Sequence, residues 1–175
     1  MQKKKLDYIF LGPAKPFRGG IAETQNYLAE EIASKGFKVE VWTFTKLYPK
    51  FLFPGKSQVE KNKIQKSKIK SKRIVHAYNF FKWKSVAKKI NFLQPKMVVF
   101  RYWTPFIFPC WYYIKSKLNK SIRTVGLIDN WEHHEPQIWD EKINTYFGNS
   151  MDMIVTFSKA VGIQISKTIK NRILM

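Results

Sequence analysis

The sequence predicts an α/β domain with a doubly wound, Rossmann-like parallel sheet, and three observations predict it. Short apolar runs alternate with helical patterns along the chain. The first run stops at Gly12-Pro13 and passes through Gly19-Gly20 into a helix, and a second apolar run follows that helix. One β-α-β unit of about 40 residues implies parallel strands joined by a right-handed crossover.

The elements follow in order. Residues 6–11 form an apolar strand flanked by lysines. Residues 21–35 carry Ile21, Leu28 and Ile32 on one helical face, and Gly36 stands where a helix-ending glycine belongs. Residues 39–44, 73–77, 97–102, 124–128 and 153–157 are the next five strands. Helices are expected over 80–93, ended by Pro95, over 106–118 and over 138–147, with Ser158 as the N-cap of a last one. The segment 56–73 breaks the alternation. Lys56, Lys61, Lys63, Lys66, Lys68, Lys70, Lys72 and Arg73 face a single acid there, Glu60. Apolar anchors are few, which predicts a mobile loop or a frayed strand pair. Just before it, Phe51, Leu52 and Phe53 cluster with Tyr48 around Pro49 and Pro54.

Composition sets the class. The chain has 175 residues, a length that buries a core within one domain. A hydrophobic content of 45% and an aromatic content of 16% exclude a disordered tail. The 32 Lys+Arg against 12 Asp+Glu give a formal net charge of +20, a field that favours nucleic acid, an anionic membrane face or phosphorylated substrates. Cys110 is the only cysteine, so no internal disulfide can form. Residues 1–11 lack a signal-peptide cleavage pattern, and 103–114, broken by Pro105 and Pro109, fall short of a spanning helix. The expectation is a cytoplasmic protein with any membrane contact peripheral.

Three stretches carry candidate chemistry. Residues 12–20 leave the first strand at its carboxyl end, where ligands bind in open α/β sheets. Gly19 and Gly20 let backbone N–H groups approach a phosphate or a sugar hydroxyl at the positive end of the helix dipole. The spacing is neither GxGxxG nor GxxxxGK[ST], which disfavours NAD and a P-loop. A tight structural turn is the plain alternative. Asp129 and Asn130 end the fifth strand on the same rim, and Asp129 could accept hydrogen bonds from sugar hydroxyls or act as a base. A helix-capping turn is the alternative there. His133, His134 and Glu135 lack metal-ligand spacing, so no metal is expected. Arg101, Trp103 and their aromatic neighbours could form an acceptor pocket or a lipid-facing lip. Phe106, Ile107 and Trp111 read as helix core, and Cys110, among apolar residues, as an inert thiol.

Together, Leu11-Gly12-Pro13 through Arg18-Gly19-Gly20-Ile21-Ala22, Arg101-Tyr102-Trp103-Thr104-Pro105-Phe106, and Asp129-Asn130 with His134-Glu135 resemble family 4 glycosyltransferases. The step from Val155 to Ser158-Lys159-Ala160-Val161 resembles the end of that family's first domain. The resemblance implies the N-terminal half of a GT-B enzyme, in which two Rossmann-like domains face a cleft. It implies a retaining transfer from a nucleotide-sugar co-substrate without metal or other cofactor. Gly19 and Gly20, with Arg18, Asn130, His134, Glu135, Arg101 and Trp103, would then line the cleft. Asp129 falls where the family carries His, and a carboxylate there should be repelled by a diphosphate. It either holds sugar hydroxyls or marks altered specificity or activity.

The sequence contains no second domain after Met175, so the expectation is a single acceptor-side domain over 1–175, inactive alone, with a donor-binding domain supplied in cis or in trans. Expected partners are a glycan or lipid-linked acceptor and the anionic inner face of a membrane, met through Lys56 to Arg73. A basic nucleic-acid-binding α/β module and a noncatalytic partner subunit are the competing readings. The Gly19-Gly20 and Trp103-Thr104-Pro105 motifs disfavour the nucleic-acid reading, which does not need them.

Overall fold

The computed structural model describes residues 6–49, 68–131, 139–170 and 172–175. Seven strands form one all-parallel sheet: β1 (Tyr8–Leu11), β2 (Val39–Lys46), β3 (Ser71–His76), β4 (Met97–Tyr102), β5 (Arg123–Ile128), β6 (Met153–Thr156) and β7 (Ile173–Leu174), in the order β3-β2-β1-β4-β5-β6-β7. The helices are α1 (Gly20–Ser34), α2 (Phe80–Leu93), α3 (Phe108–Ser116, entered through a 3-10 turn at Pro105–Ile107), α4 (Asp140–Ser150) and α5 (Lys159–Ser166).

Strands β1 to β3 step one way across the sheet and β4 to β7 step the other. Right-handed crossovers therefore place α1 on one face and the other helices opposite. Leu28, Ala29 and Ile32 of α1 pack with Phe10, Val41, Val99, Val125 and Leu127. The other face joins Ile9, Leu11, Trp42, Val98 and Phe100 to Val86 and Ile90 of α2, Trp111 and Ile114 of α3, Phe147 of α4 and Ile165 of α5. Burial on both faces is why the strands read as near-continuous apolar runs.

The caps follow the local chemistry. Gly36, at φ 89°, closes the end of α1, and its N–H reaches the Ala33 carbonyl at 3.0 Å. The side chain of Asn79 caps α2, which ends at Gln94 in the left-handed region, directly before Pro95. Ser158 caps α5 as expected, accepting from the Val161 N–H.

Some boundaries moved. The third strand spans Ser71–His76 rather than 73–77, so Lys72 as well as Arg73 belongs to the sheet and not to a loop. Lys72 pairs with Glu40 at 2.6 Å, and Arg73 donates to the Phe44 and Thr45 carbonyls, each at 3.0 Å, with its guanidinium over Phe17. The fourth helix spans Asp140–Ser150, not 138–147. The short strand β7 was not anticipated.

Candidate functional site

The strand order reverses between β1 and β4. At such a switch point the loops leaving the carboxyl ends part and open a crevice. The sequence places three candidate stretches on this rim: residues 12–20 after β1, Arg101 near the end of β4, and Asp129 directly after β5.

Arg101 shares its face of β4 with Met97 and Val99, so the pleat turns it under α1. It is 1% exposed. A buried guanidinium must be paired, and Asp129 supplies the charge. Nε donates to Asp129 Oδ2 at 2.6 Å and Nη2 to Oδ1. Nη2 also donates to Thr24 Oγ1 at 2.8 Å, and that hydroxyl donates to the Gly20 carbonyl at 2.8 Å. Phe157 lies against the guanidinium, 5.3 Å from its ring centroid. The backbone joins in: the Asp129 N–H reaches the Tyr102 carbonyl at 2.9 Å, and Trp111 Nε1 reaches the Arg101 carbonyl at 2.8 Å. A continuous chain thus runs from Asp129 through Arg101 and Thr24 to Gly20, tying the ends of β4 and β5 to the first turn of α1.

Gly19 is the N-cap of α1 at φ 106°, a conformation that favours glycine. No side chain caps this helix end. Arg18, Gly19 and Gly20 are exposed, which leaves the first turn of α1 open to solvent, and Asn130, next to Asp129 in the chain, is exposed too. Gly12 is required for a different reason: a Cβ there would lie 2.6 Å from Arg101 Cβ and 2.7 Å from Gln25 Oε1.

Beneath this rim sit buried polar groups without a hydrogen-bond partner among the described residues: both side-chain polar atoms of Gln25, Nη1 of Arg101 and Oδ1 of Asn26. Each such group costs about 1–3 kcal/mol relative to a satisfied one. Unmet polar groups are scarce in folded interiors, so several beside one crevice mark it as unusual ground. Sequence reasoning missed Thr24 and Gln25. Gln25 lies in the apolar stripe Ile21, Leu28, Ile32, and a polar residue at a core position was the available signal.

Two expected cleft residues are buried rather than lining the opening. Trp103 belongs to the core: it is 8% exposed, donates Nε1 to Tyr48 Oη at 2.9 Å, and meets Phe44 edge-on. Burial raises the Tyr48 phenol above its ordinary value. Arg101 is not a free cleft cation, because Asp129 and Thr24 occupy it. Cys110 is buried, and burial pushes its thiol well up, as the sequence suggested. His134 and Glu135 lie outside the described residues, as do Lys56, Lys61, Lys63, Lys66 and the Phe51 to Phe53 cluster. Among the described residues no group of three or more His, Cys, Asp or Glu side chains could hold a metal ion. A groove of about 310 Å³, lined by Lys15, Glu23, Thr24, Asn26, Tyr27 and Glu30, runs along α1 beside the rim.

No protein-family profile matches the chain, and no curated protein matches it. Solved structures do. An alpha-glucosyltransferase in complex with UDP and a mismatched DNA aligns over 96% of this chain and 40% of its own, at 11% identity and TM-score 0.59. Sucrose-phosphate synthase from Thermosynechococcus elongatus aligns over 96% and 47%, at 10% identity and TM-score 0.63. MurG from Acinetobacter baumannii aligns over 97% and 45%, at 11% identity and TM-score 0.54. At these identities the likeness shows the fold: a Rossmann-like α/β domain matching one half of GT-B glycosyltransferases. The chain spans less than half the length of each of these structures. Among the described residues no helix is long and apolar enough to cross a membrane.

Proposed function

We propose that this chain is the acceptor-side half of a retaining, family 4-like GT-B glycosyltransferase, moving a hexose from a nucleotide-sugar to a glycan or lipid-linked acceptor at the cytoplasmic face of a membrane. A second Rossmann-like domain, in cis or in trans, supplies the donor site. The observation that carries the reading is the Asp129–Arg101–Thr24–Gly20 chain, which fixes the exposed Gly19-Gly20 turn at the switch point.

The geometry divides the roles. The leading amides of α1 at Gly19 and Gly20 suit an anionic donor diphosphate, with Arg18 and Asn130 exposed beside them. Asp129 has both oxygens on Arg101, so its charge is met within the domain and need not repel that diphosphate. Asp129 and Arg101 are therefore positioning residues. The groups that touch the reacting sugar come from the donor half and from the 12–20 turn. No metal or cofactor enters this reading.

The test is a transfer assay with labelled UDP- or GDP-sugars and a membrane extract as acceptor, with the chain joined to its donor half. Wild type should transfer sugar. Gly19→Val, strained at φ 106° but with no described atom within 4 Å of its Cβ, should lower transfer at least tenfold while the domain stays folded. Unchanged transfer by that variant would remove the turn from the site.

A further inference from the structure

The surface of α2 is built against the usual pattern. Val86, Ala87 and Ile90 are its buried stripe. On the crest directly opposite, where polar side chains belong, stand Phe81, 85% exposed, and Phe92, 64% exposed. They lie three turns apart, about 16 Å, and point the same way. Lys84, Ser85 and Lys88 fill the crest between them, all exposed. The belt continues at the amino end, where Tyr78, Phe80 and, on α3, Tyr112 are 43%, 51% and 45% exposed. Phe80 meets Tyr113 of α3 at a 59° tilt with ring centroids 4.6 Å apart, so the aromatics of the two helices adjoin.

The charge on this surface has one sign. The sequence has no Asp or Glu between Glu60 and Asp129, and neither α2 nor α3 contains an acid. Lys82, Lys84 and Lys88 form no ion pair with a described residue, whereas Lys96, at the foot of β4, pairs with Asp7 at 2.8 Å. Exposed phenylalanines flanking unpaired lysines on a helix crest match an interface of acyl chains beneath anionic headgroups. A folded protein partner would instead have to supply acids and an apolar groove at matching spacing.

We propose that the outward face of α2 docks flat on an anionic lipid surface, Phe81 and Phe92 entering the headgroup–acyl boundary and Lys84 and Lys88 meeting lipid phosphates. This deepens the membrane part of the function proposed above. It moves the contact from the basic 56–73 segment to a face built of described residues.

The experiment uses the full chain and phosphatidylcholine vesicles with or without phosphatidylglycerol. Co-sedimentation should require phosphatidylglycerol. F81S/F92S and K84Q/K88Q should each weaken it at least tenfold, with an unchanged melting temperature because all four side chains are exposed. A variant with Lys56, Lys61, Lys63 and Lys66 changed to Gln should lose less. Because Cys110 is buried, F81C can carry a single polarity-sensitive dye, which should shift to the blue on anionic vesicles. The same dye on Y27C, on the opposite face, should not shift. Binding that persists in both α2 variants and fails only in the 56–66 variant would overturn this surface while leaving a membrane role intact. Wild type that ignores anionic vesicles would overturn both. Tighter binding to a DNA or RNA oligonucleotide, lost in the same α2 variants, would reassign the face to nucleic acid.

Discussion

The switch-point rim and the crest of α2 draw on the same stretch of acid-free sequence, yet they treat positive charge in opposite ways. On the rim, Arg101 is fully buried and meets Asp129, the first acid the chain reaches after Glu60. On the crest, Lys84 and Lys88 stay in water beside exposed phenylalanines. A buried charge must find its opposite within the fold, so the rim is rigid and self-contained. An exposed charge carries no such demand and remains available to something outside the molecule. The rim is where a site can be held still, and the crest is where the domain can be held in place.

The largest effects should come from breaking the pair on the rim. Asp129→Ala leaves a guanidinium alone in the interior, and urea unfolding should show a loss of about 3 kcal/mol. Arg101→Met removes the charge and keeps most of the volume, so it should cost less than half as much, although it leaves Asp129 unpaired at a position that water partly reaches. Equal losses would mean that the pair is not electrostatically closed. The same assay on Lys84→Gln and Lys88→Gln should show changes within about 0.5 kcal/mol, as expected of exposed crest positions.

A smaller effect, of opposite sign, is expected at Gln25. Its amide is fully buried without partners, so Gln25→Met should be neutral or stabilising by up to about 1 kcal/mol. A clear destabilisation would show that the amide holds an ordered partner, and the rim would be wetter than the side-chain contacts suggest.

The smallest effect lies at His76, next to the crest. Burial first, then Lys46 and Lys82, hold its imidazole below the ordinary 6.5. The folded chain therefore binds this proton less readily than the unfolded one. The histidine's contribution is present above the unfolded value and fades as pH falls below it. The melting temperature should drop between about pH 7 and pH 5. His76→Gln should flatten part of that drop, and an unchanged profile would assign it to other groups.

Much of the fold was legible because strands covered on both faces leave unbroken apolar runs, and because Gly36, Pro95 and Ser158 mark helix ends. The start of β3 was not. Lys72 looked like solvated loop and Arg73 like the edge between loop and strand, and only the neighbouring strand reveals that Glu40 and the Phe44 carbonyl receive them. Strand β7, two residues long, carries no period to read. In the site, the Gly19-Gly20 turn and the shared rim with Asp129 could be read from their place after strands. The burial of Arg101 was readable in principle, since it shares a strand face with Met97 and Val99, but its fate depended on an acid at the end of another strand. Trp103 deceived because the end of a strand can turn toward the core as easily as toward a crevice. The exposed crest of α2 follows from its helical period once the buried stripe is known.

The central claim is that this domain holds the acceptor and, without a second domain, neither binds a nucleotide-sugar tightly nor transfers its sugar. It is tested most directly by measuring, on the purified 175-residue chain, binding and turnover of UDP- and GDP-sugars beside binding of polyprenyl-phosphate sugars in anionic vesicles. We expect no transfer and no tight nucleotide-sugar binding, with the chain held more firmly on anionic vesicles that carry the lipid-linked sugar than on those that lack it. Tight nucleotide-sugar binding with sugar transfer by the chain alone, free of contaminating enzyme, would contradict it.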